Sequence, residues 1–355
     1  MRTSSIKASA TADSKSVVAV VLNWNGKLDT IECLESLFRV RYTACHVVVV
    51  DNGSSDGSPS EIKEKFPQVE LICNDSNLGF AEGNNIGVRY ALQKFCPDYF
   101  LLLNNDAVVD QNLVAELIRT VATDSRIGLV QPMILRYGDQ TINTAGNLCD
   151  LFGATGLRGA REKDVGQYFG DAEGFFNGSG ACLLVARDLV HALDNQLFDA
   201  ELFAFHEDVD LGWVARLLGF KVVFCPLAIC RHKEGRTSGG FNPTTAYWGN
   251  RNRLRVLLKN YSLPPLLLAF PLALLMELNV SLWYSIARRD PRYVYGFWRG
   301  IIWNAENLRS TLGMRRRVQR ARRVPDKQIM EKMFFGSLEL AGLFNRTSRF
   351  RRRLQ

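Results

Sequence analysis

The chain has 355 residues, of which 47% are hydrophobic and 23% are charged, and its formal net charge is +8. This length and apolar content are enough for a large buried core and exclude a wholly disordered or fibrous protein. The eight cysteines contain no CxxC pair, which argues against a zinc site or a disulfide framework and favours a reduced, cytosolic setting. Residues 1–16 have no apolar centre and are predicted to form a disordered tail, with a short targeting peptide as the alternative.

Short apolar runs alternate with amphipathic patterns along the N-terminal part of the chain. The apolar runs predict buried strands at 17–22, 47–50, 69–73 and 99–103. Between them, apolar residues recur with helical spacing, which predicts helices at 30–38, 60–66 and 80–95. This alternation is typical of βαβ units with right-handed crossovers. The sequence therefore predicts an α/β fold with a mostly parallel sheet.

Polar residues follow the predicted strands at the points where they end. The fourth strand runs into Asn104, Asn105 and Asp106, and Asn23 and Asp51 follow the first two strands. One carboxylate beside two amides suits a hydrated divalent cation that also holds a diphosphate, but Asn and Asp favour turns in any case. For one strand end alone, the two interpretations are about level. Because ligands of open α/β sheets bind beyond the carboxyl ends of strands, polar residues at every such end favour a ligand site.

A second acidic cluster begins a helical pattern further along the chain. Glu207, Asp208 and Asp210 fall in its first turns, where acidic side chains complement the helix dipole. A positioned carboxylate can also take a proton from a hydroxyl nucleophile. Three acids within four positions, next to Phe203 and Trp213, exceed what helix capping needs. We therefore favour a general base in this cluster.

The segment 263–287 is almost entirely apolar and approaches the length of a transmembrane span. Prolines in its first half and Glu277 count against a straight span, and basic residues flank both of its ends. We expect membrane-associated helices at 261–310, lying on the cytoplasmic face of the inner membrane as a monotopic or peripheral anchor. A single span, and helices packed on the soluble domain, are the alternatives.

Positive charge is concentrated at the C-terminal end of the chain. Residues 288–355 carry 18 Lys or Arg and 5 Asp or Glu, so their net charge is +13 and that of residues 1–287 is −5. Beside an apolar segment, a basic tail at 311–355 is expected to meet an anionic membrane surface. The sequence shows no nucleic-acid recognition motif, so nucleic acid is not an expected partner.

Seven segments of the chain resemble family 2 glycosyltransferases, especially their bacterial rhamnosyltransferase-like branch. They occur in the family's order and cover about 220 residues: VVAVVLNWNG (17–26), VVVVDNGSSDGS (47–58), NLGFAEGNNIG (77–87), LLLNNDAVV (101–109), NGSGACLLVAR (177–187), FHEDVDLGWVARLLGF (205–220) and RHKEGRTSG (231–239). The resemblance implies a GT-A fold at 17–260, which is a Rossmann-like nucleotide-sugar-binding domain.

The resemblance also implies roles for individual residues. Asp208 matches the catalytic base and Glu207 its partner. Asp106 takes the last position of the family's DXD motif and would hold Mg²⁺ or Mn²⁺ on the diphosphate, with His232 as a further ligand. Amides occupy the other two positions of this motif, which leaves weaker metal affinity or partial metal independence open. The implied nucleotide-sugar site consists of Asn23, Asn25, Asp51, Asn77, Gly79, Asn85, Asn104 and Asn105.

Basic residues near these motifs are further candidates for ligand contacts. Arg231, Lys233, Arg236 and Ser238 lie in a loop that would close over the diphosphate, or form an ordinary basic surface loop. Trp248 and the arginines at 251–255 would guide a lipid-diphosphate acceptor or serve packing and charge.

The function implied by the resemblance is an inverting transfer of a sugar from a nucleoside-diphosphate donor. The favoured donor is dTDP-rhamnose, with UDP-sugars as the alternative. The acceptor would be a hydroxyl of a lipid-linked or other glycan in cell-surface polysaccharide synthesis. A polyprenyl-phosphate glycosyltransferase is one alternative, whose ionised acceptor needs no base. A non-catalytic, membrane-bound nucleotide-sugar binder is the other.

Overall fold

The computed structural model describes residues 15–234 and 240–338. Its strands are β1 (Val17–Asn23), β2 (Cys45–Asp51), β3 (Glu70–Cys73), β4 (Tyr99–Asn104), β5 (Ala107–Val109), β6 (Ile127–Arg136), β7 (Ile142–Thr144), β8 (Asn147–Cys149), β9 (Thr155–Leu157), β10 (Cys182–Ala186) and β11 (Lys221–His232). Residues 1–14 of the predicted tail, and the basic residues after 338, lie outside the described ranges.

Eleven α-helices surround or extend this set of strands within the described ranges. They are α1 (Lys27–Leu37), α2 (Ser58–Lys65), α3 (Gly79–Phe95), α4 (Leu113–Val121), α5 (Arg187–Ala192), α6 (Glu207–Leu217), α7 (Pro243–Asn260), α8 (Leu263–Ala287), α9 (Arg292–Glu306), α10 (Leu308–Ala321) and α11 (Asp326–Met330). A 3₁₀ turn at Ala200–Leu202 precedes α6.

The central sheet has the strand order β3-β2-β1-β4-β10-β6-β11-β5, with β7 added beside β6. Strands β1, β2, β3 and β4 run parallel to one another, so their carboxyl ends gather along one edge, as predicted. Strand β10 is antiparallel to both β4 and β6, and β11 runs parallel to β6. The sheet is therefore mixed beyond β4, while the part predicted from the alternating pattern is parallel.

The first strands are covered on both faces, which explains why they are apolar throughout. Each residue from Val17 to Val21 is 0% exposed. Val18 and Val20 belong to one core with α3 and α6, and Val17 and Val21 belong to the other core with α1 and α4. A strand buried on both faces has no solvent side, so its sequence shows no polar alternation.

Helix α7 carries the chain from the sheet towards the apolar segment. Asn242 caps it: its Oδ1 accepts hydrogen bonds from the backbone N of Thr244 (2.9 Å) and Thr245 (3.1 Å). The hydroxyl of Thr245 accepts in return from the backbone N of Asn242 at 2.9 Å. Pro243 follows in the first turn, where its missing N–H costs no helical bond.

The basic residues expected to flank the apolar segment on its N-terminal side are buried instead. Arg255 and Lys259 are 0% and 1% exposed and both pair with Asp199, at 2.9 and 3.2 Å. Arg251 is also buried, and its guanidinium donates to the backbone oxygen of Leu202 at 3.2 Å. These three charges are satisfied inside the protein, which favours packing and charge as their role over contact with a membrane or an acceptor.

Helix α8 is continuous from Leu263 to Ala287. In the described part of the chain, it is the single helix that is long and apolar enough to cross a membrane. From sequence, prolines were expected to disturb the first half of this segment. Two of its prolines lie in the first turn, where they do not break the helix. Helices α8, α9 and α10 all pack against α7. The predicted boundaries at 260 and 310 stay predictions.

Candidate active site

Two cavities open at the carboxyl edge of the parallel strands. The first has a volume of about 580 Å³ and lies between the ends of β1 and β4, the start of α3 and the start of α6. The second, of about 770 Å³, lies between β7–β9, the start of α6 and the inner side of α7. Ser179, Phe205, Glu207, Asp208 and His232 line both cavities. The two cavities therefore share a wall that carries the acidic cluster.

The first cavity brings together most of the residues predicted from sequence. Those that line it are Asn77, Gly79, Asn104, Asn105, Asp106, Glu207, Asp208 and His232. Asn23, Asn25, Asp51 and Asn85 are not among its lining residues. The contacts of these four within the protein are as follows.

Asn23 connects the ends of three chain segments beneath the cavity. It is 0% exposed, and its Nδ2 donates to Asp51 Oδ1 at 2.6 Å and to the Ser58 hydroxyl at 2.7 Å. Its Oδ1 accepts from Thr30 (2.7 Å) and from Asn105 Nδ2 (3.2 Å). Asn23 and Asp51 thus hold the strand ends in position from below, rather than facing the cavity.

Asn25 and Asn85 also make structural contacts. Asn25 has a positive φ of 49°, and its Oδ1 accepts from the backbone N of Ser55 at 2.8 Å. Asn85 is fully buried, and both of its amide hydrogens are used, by Glu82 Oε2 (3.1 Å) and the Phe198 carbonyl (2.9 Å). Its oxygen accepts from the Phe198 backbone N at 2.8 Å. Asn85 therefore anchors α3 to the segment before α6.

Asp106 and His232 meet although they are far apart in sequence. Strand β5, which follows Asp106, pairs antiparallel with β11, which ends at His232. As a result, His232 Nε2 lies 3.0 Å from Asp106 Oδ1 and 3.4 Å from Asn104 Nδ2. The two side chains contact each other at the cavity wall, and a carboxylate beside an imidazole is a donor pair that a divalent cation such as Mn²⁺ could use.

The protein supplies few ligands to such a cation. Within the described ranges, no three or more His, Cys, Asp or Glu side chains are grouped to hold a metal. Asn105 turns its amide inward, donating to the Thr30 hydroxyl at 3.0 Å. A cation held by Asp106 and His232 would therefore take its remaining ligands from a diphosphate and from water, which is how Mg²⁺ commonly binds beside phosphates.

The acidic helix α6 starts from a strained turn. Phe203, Phe205 and His206 have positive φ values of 60°, 69° and 66°, a conformation that costs non-glycine residues roughly 1–2 kcal/mol each. Asn252 Nδ2 contacts the carbonyl oxygens of this turn, at 2.8 Å from Ala204 and 2.7 Å from Phe205. Strain held by surrounding bonds is typical of functional sites.

Gly79 is required by this turn. Its φ is +82°, and a Cβ there would lie 2.5 Å from the Phe203 ring and 2.6 Å from the Phe203 carbonyl oxygen. In the implied nucleotide-sugar site, a glycine would let the backbone come close to ribose or phosphate. The close approach in the structure is to protein, since Phe203 occupies that space.

The three acids of α6 have different surroundings. Asp210 is buried and pairs with Lys259, and its Oδ1 accepts from Asn260 Nδ2 at 2.9 Å. Asp208 lines both cavities, and its Oδ2 accepts from the backbone N of Gly180 at 3.3 Å. Glu207 is buried, and its Oε2 has no hydrogen-bond partner among the described residues. One acid is therefore structural, and two face the shared wall.

Burial changes the protonation of the two cavity acids. Desolvation raises the pKa of Asp208 above its ordinary value, against the opposing effect of the Gly180 hydrogen bond. Desolvation also raises the pKa of Glu207, and the neighbouring Asp208 charge raises it further. Two adjacent buried carboxylates favour a state in which they carry one negative charge between them. The raised pKa also makes an ionised Asp208 a better proton acceptor.

Lys233, which directly follows β11, has other partners than expected. The ammonium of Lys233 pairs with Asp29 and Glu32, each at 2.5 Å, so it is already neutralised and does not face the first cavity. Arg236 and Ser238 lie outside the described residues. The proposed closure of this loop over a diphosphate therefore has no support from Lys233.

Sequence reasoning missed several residues of the first cavity. Asn52 lines it, is 1% exposed, and donates to the Gly79 carbonyl at 2.9 Å. Its position directly after Asp51, in the same polar strand end, was an available signal. Trp24 also lines the cavity. Trp248, expected from sequence either to guide an acceptor or to pack, lines it as well and stacks on Phe203 with ring centroids 4.8 Å apart.

The fold and the site together define a class of protein: a GT-A glycosyltransferase. Residues 15–253 match the family described as "Glycosyltransferase like family 2". The chain belongs to this family, and the predicted family and fold are confirmed.

Relatives and a solved structure agree with this assignment. Poly-beta-1,6-N-acetyl-D-glucosamine synthase of Staphylococcus aureus (strain MSSA476) is 26% identical over 270 residues, which are 73% of this chain and 60% of the synthase. N-acetylglucosaminyl-diphospho-decaprenol L-rhamnosyltransferase of Mycobacterium tuberculosis (strain H37Rv) is 24% identical over 247 residues, 63% of this chain and 77% of that protein. The chain thus spans less than two thirds of the synthase.

The structure of GalNAc-T7 with UDP, GalNAc and Mn²⁺ has a TM-score of 0.53 and 17% identity, covering 69% of this chain and 48% of that chain. At this identity, the similarity shows a shared fold.

Proposed function

We propose that the protein transfers a sugar from a nucleoside-diphosphate donor to a hydroxyl of a lipid-linked glycan, with inversion at the anomeric carbon. The observation that carries this proposal is the position of Asp208 on the wall shared by the two cavities. The first cavity, beside Asp106 and His232, would hold the donor. The second would hold the acceptor, so that Asp208 meets the acceptor hydroxyl next to the donor sugar.

In this mechanism, Asp208 takes the proton of the acceptor hydroxyl as its oxygen attacks the anomeric carbon. The bond from that carbon to the diphosphate breaks, and the electron pair leaves with the nucleoside diphosphate. Attack from the face opposite the leaving group inverts the configuration. Asn147 Nδ2 and the Gly180 backbone N, both 3.3 Å from Asp208 Oδ2, orient the carboxylate. A protonated Glu207 beside it avoids a second buried charge.

Asp106 and His232 would hold Mg²⁺ or Mn²⁺ on the diphosphate. Such a cation, when bound, neutralises negative charge that develops on the leaving group. The Mn²⁺ in the GalNAc-T7 structure supports a divalent metal for this fold. With one carboxylate in the motif instead of two, we expect weaker metal affinity than a full DXD motif gives.

Names of relatives support the substrate classes. The M. tuberculosis relative is named as an L-rhamnosyltransferase acting on a diphospho-decaprenol glycan, which favours dTDP-rhamnose and a lipid-linked acceptor. The S. aureus relative is named as a glucosamine polymer synthase, which keeps UDP-sugars as the alternative donors. A thermal-shift screen with dTDP-rhamnose and UDP-hexoses would separate the two.

We place the protein on the cytoplasmic face of the inner membrane, with α8 lying in the membrane interface. Glu277 on the inner face of α8 is 1% exposed and pairs with Arg253 of α7 at 3.4 Å. The opposite face exposes Leu267 (68%), Leu268 (70%) and Ile286 (77%). A helix held along the domain by a buried ion pair, with leucines outward, suits interfacial binding better than a span.

Replacing the proposed base tests the function. Asp208→Asn should keep donor binding in a thermal-shift assay but lower transfer by roughly a hundredfold or more, the scale of a lost general base. Asp188→Asn is the matched control, because Asp188 is an exposed first-turn acid of α5, remote from both cavities. Near-wild-type transfer to a sugar hydroxyl by Asp208→Asn would refute the base assignment. Retained transfer to a polyprenyl phosphate alone would favour a phosphate acceptor.

A further inference from the structure

Arg288, the residue after the last turn of α8, lies among three aromatic rings. Its guanidinium carbon is 5.5 Å from the ring centre of Phe241, 5.4 Å from that of Tyr284 and 5.7 Å from that of Tyr293. Its Nη1 donates to the Phe241 carbonyl (3.1 Å) and to the Tyr293 hydroxyl (2.9 Å). These contacts fix the group in one orientation although the residue is exposed.

The charge of Arg288 has no acidic partner among the described residues. Its Nε and Nη2 groups make no hydrogen bond to any of them, and no carboxylate there lies within ion-pair distance of it. Arg292, the first residue of α9, differs because it pairs with Asp290 at 2.8 Å. A guanidinium held in place by two bonds, with its remaining donors free, is suited to a phosphate group.

The cluster lies where the second cavity meets the exposed apolar face of α8 and α9. Phe241 lines the second cavity and packs on Tyr284 of α8 and Tyr293 of α9, with ring centres 4.7 and 5.8 Å apart. On the outer side of these helices, Ile286 and Tyr295 are 77% and 69% exposed. A lipid lying against this face would bring its headgroup to the mouth of the cavity that contains Asp208.

We propose that Arg288, with Phe241, Tyr284 and Tyr293, binds the diphosphate of a membrane-embedded polyprenyl-diphosphate acceptor at the mouth of the second cavity. This inference rests on the proposed function and names the contact that recognises its acceptor. The helix dipole alone would favour a cation after α8. It does not account for the aromatic cage or for the position at the cavity mouth.

Vesicle binding by the full-length protein tests the proposal. Neutral phosphatidylcholine vesicles would contain solanesyl diphosphate, solanesol or phosphatidylglycerol, and binding would be measured by co-sedimentation. Arg288→Ala should weaken binding to the solanesyl diphosphate vesicles about tenfold, the scale of lost charge-assisted hydrogen bonds. Arg288→Lys should restore only part of it, because a lysine lacks the planar fork. Arg292→Ala is the matched control and should bind like the wild type.

Each result either supports or overturns the proposal. A loss confined to the diphosphate vesicles and to the Arg288 variants supports it. An equal loss on phosphatidylglycerol vesicles overturns it, because Arg288 would then contribute only general attraction to anionic lipid. Equal binding by Arg288→Ala and Arg292→Ala also overturns it. Donor binding and transfer dependent on Asp208 are measured separately, so a failure of the proposed function would be seen independently.

Discussion

Replacing Lys259 by methionine tests how the acidic helix is held. Lys259 of α7 is 1% exposed and pairs with Asp199 (3.2 Å) and Asp210. In Lys259→Met, Asp199 keeps Arg255 at 2.9 Å, but Asp210 keeps only the Asn260 amide, also at 2.9 Å. One buried carboxylate is left without a positive partner.

Loss of one partner from a buried ion pair costs about 3–5 kcal/mol of the free energy of unfolding. For a chain of this length, that cost corresponds to a fall in Tm of about 4–7 °C. Burial already raises the pKa of Asp210, and Lys259 opposes this. Without Lys259, folding of the variant requires more proton uptake by Asp210, so its deficit should shrink as pH falls and grow as pH rises.

The assay is thermal unfolding at several pH values, with Lys332→Met as the control. Lys332 also pairs with an acid, Glu173 at 3.1 Å, but the two side chains are 40% and 42% exposed. We expect that control to change stability by less than about 1 kcal/mol. Because Asp210 is two residues from Asp208, Lys259→Met should also lower kcat more than it lowers donor affinity. A Tm within about one degree of the control at neutral pH would refute the argument.

Three further outcomes are expected. Asp106→Ala should abolish the metal-dependent part of activity while Asn104→Ala is milder, because only a carboxylate contributes charge to a hard cation; equal shifts in metal titration curves would contradict this. Glu207→Gln should raise stability at neutral pH, by about 1.4 kcal/mol for each unit by which folding raises the pKa of this buried acid. The gain should vanish below the ordinary Glu pKa of about 4.3, where the acid is protonated in the folded and the unfolded state alike. Leu267→Ser with Leu268→Ser should reduce vesicle binding in high salt, whereas Leu227→Ser, exposed on β11, should not.

The sequence predicted the parallel part of the sheet and the gathering of its polar ends, because a strand buried on both faces leaves an unbroken apolar run. It also indicated the acidic cluster, since three acids in four positions are rare. It did not show that Asn23 works from beneath the cavity or that Asn85 anchors a helix. The sequence does not reveal whether an asparagine amide faces a ligand or a backbone carbonyl. The orientation of the amide depends on how distant segments of the chain pack together.

The buried basic residues of α7 show what a helical pattern leaves open. Arg251, Arg255 and Lys259 recur every four residues, so they lie on one face of the helix. A basic face at this spacing is equally typical of a helix that faces solvent or lipid, so the pattern does not reveal what packs against it. In the structure, Asp199 and Asp210 meet this face and pair with Arg255 and Lys259.

A stacked column joins the first cavity to the outer helices. Phe203 stacks on Trp248, the Arg251 guanidinium lies 4.2 Å from the Trp248 ring centre, and it lies 3.8 Å from that of Trp303 on α9. Phe203 and Trp248 line the cavity, so α9 supports its wall directly. Deleting residues from 263 onward would therefore remove one end of this column and expose Arg251. If such a truncation lost donor binding, the loss would reflect damage to the wall of the first cavity. Point substitutions on the exposed apolar face of α8 therefore test membrane attachment without disturbing that wall.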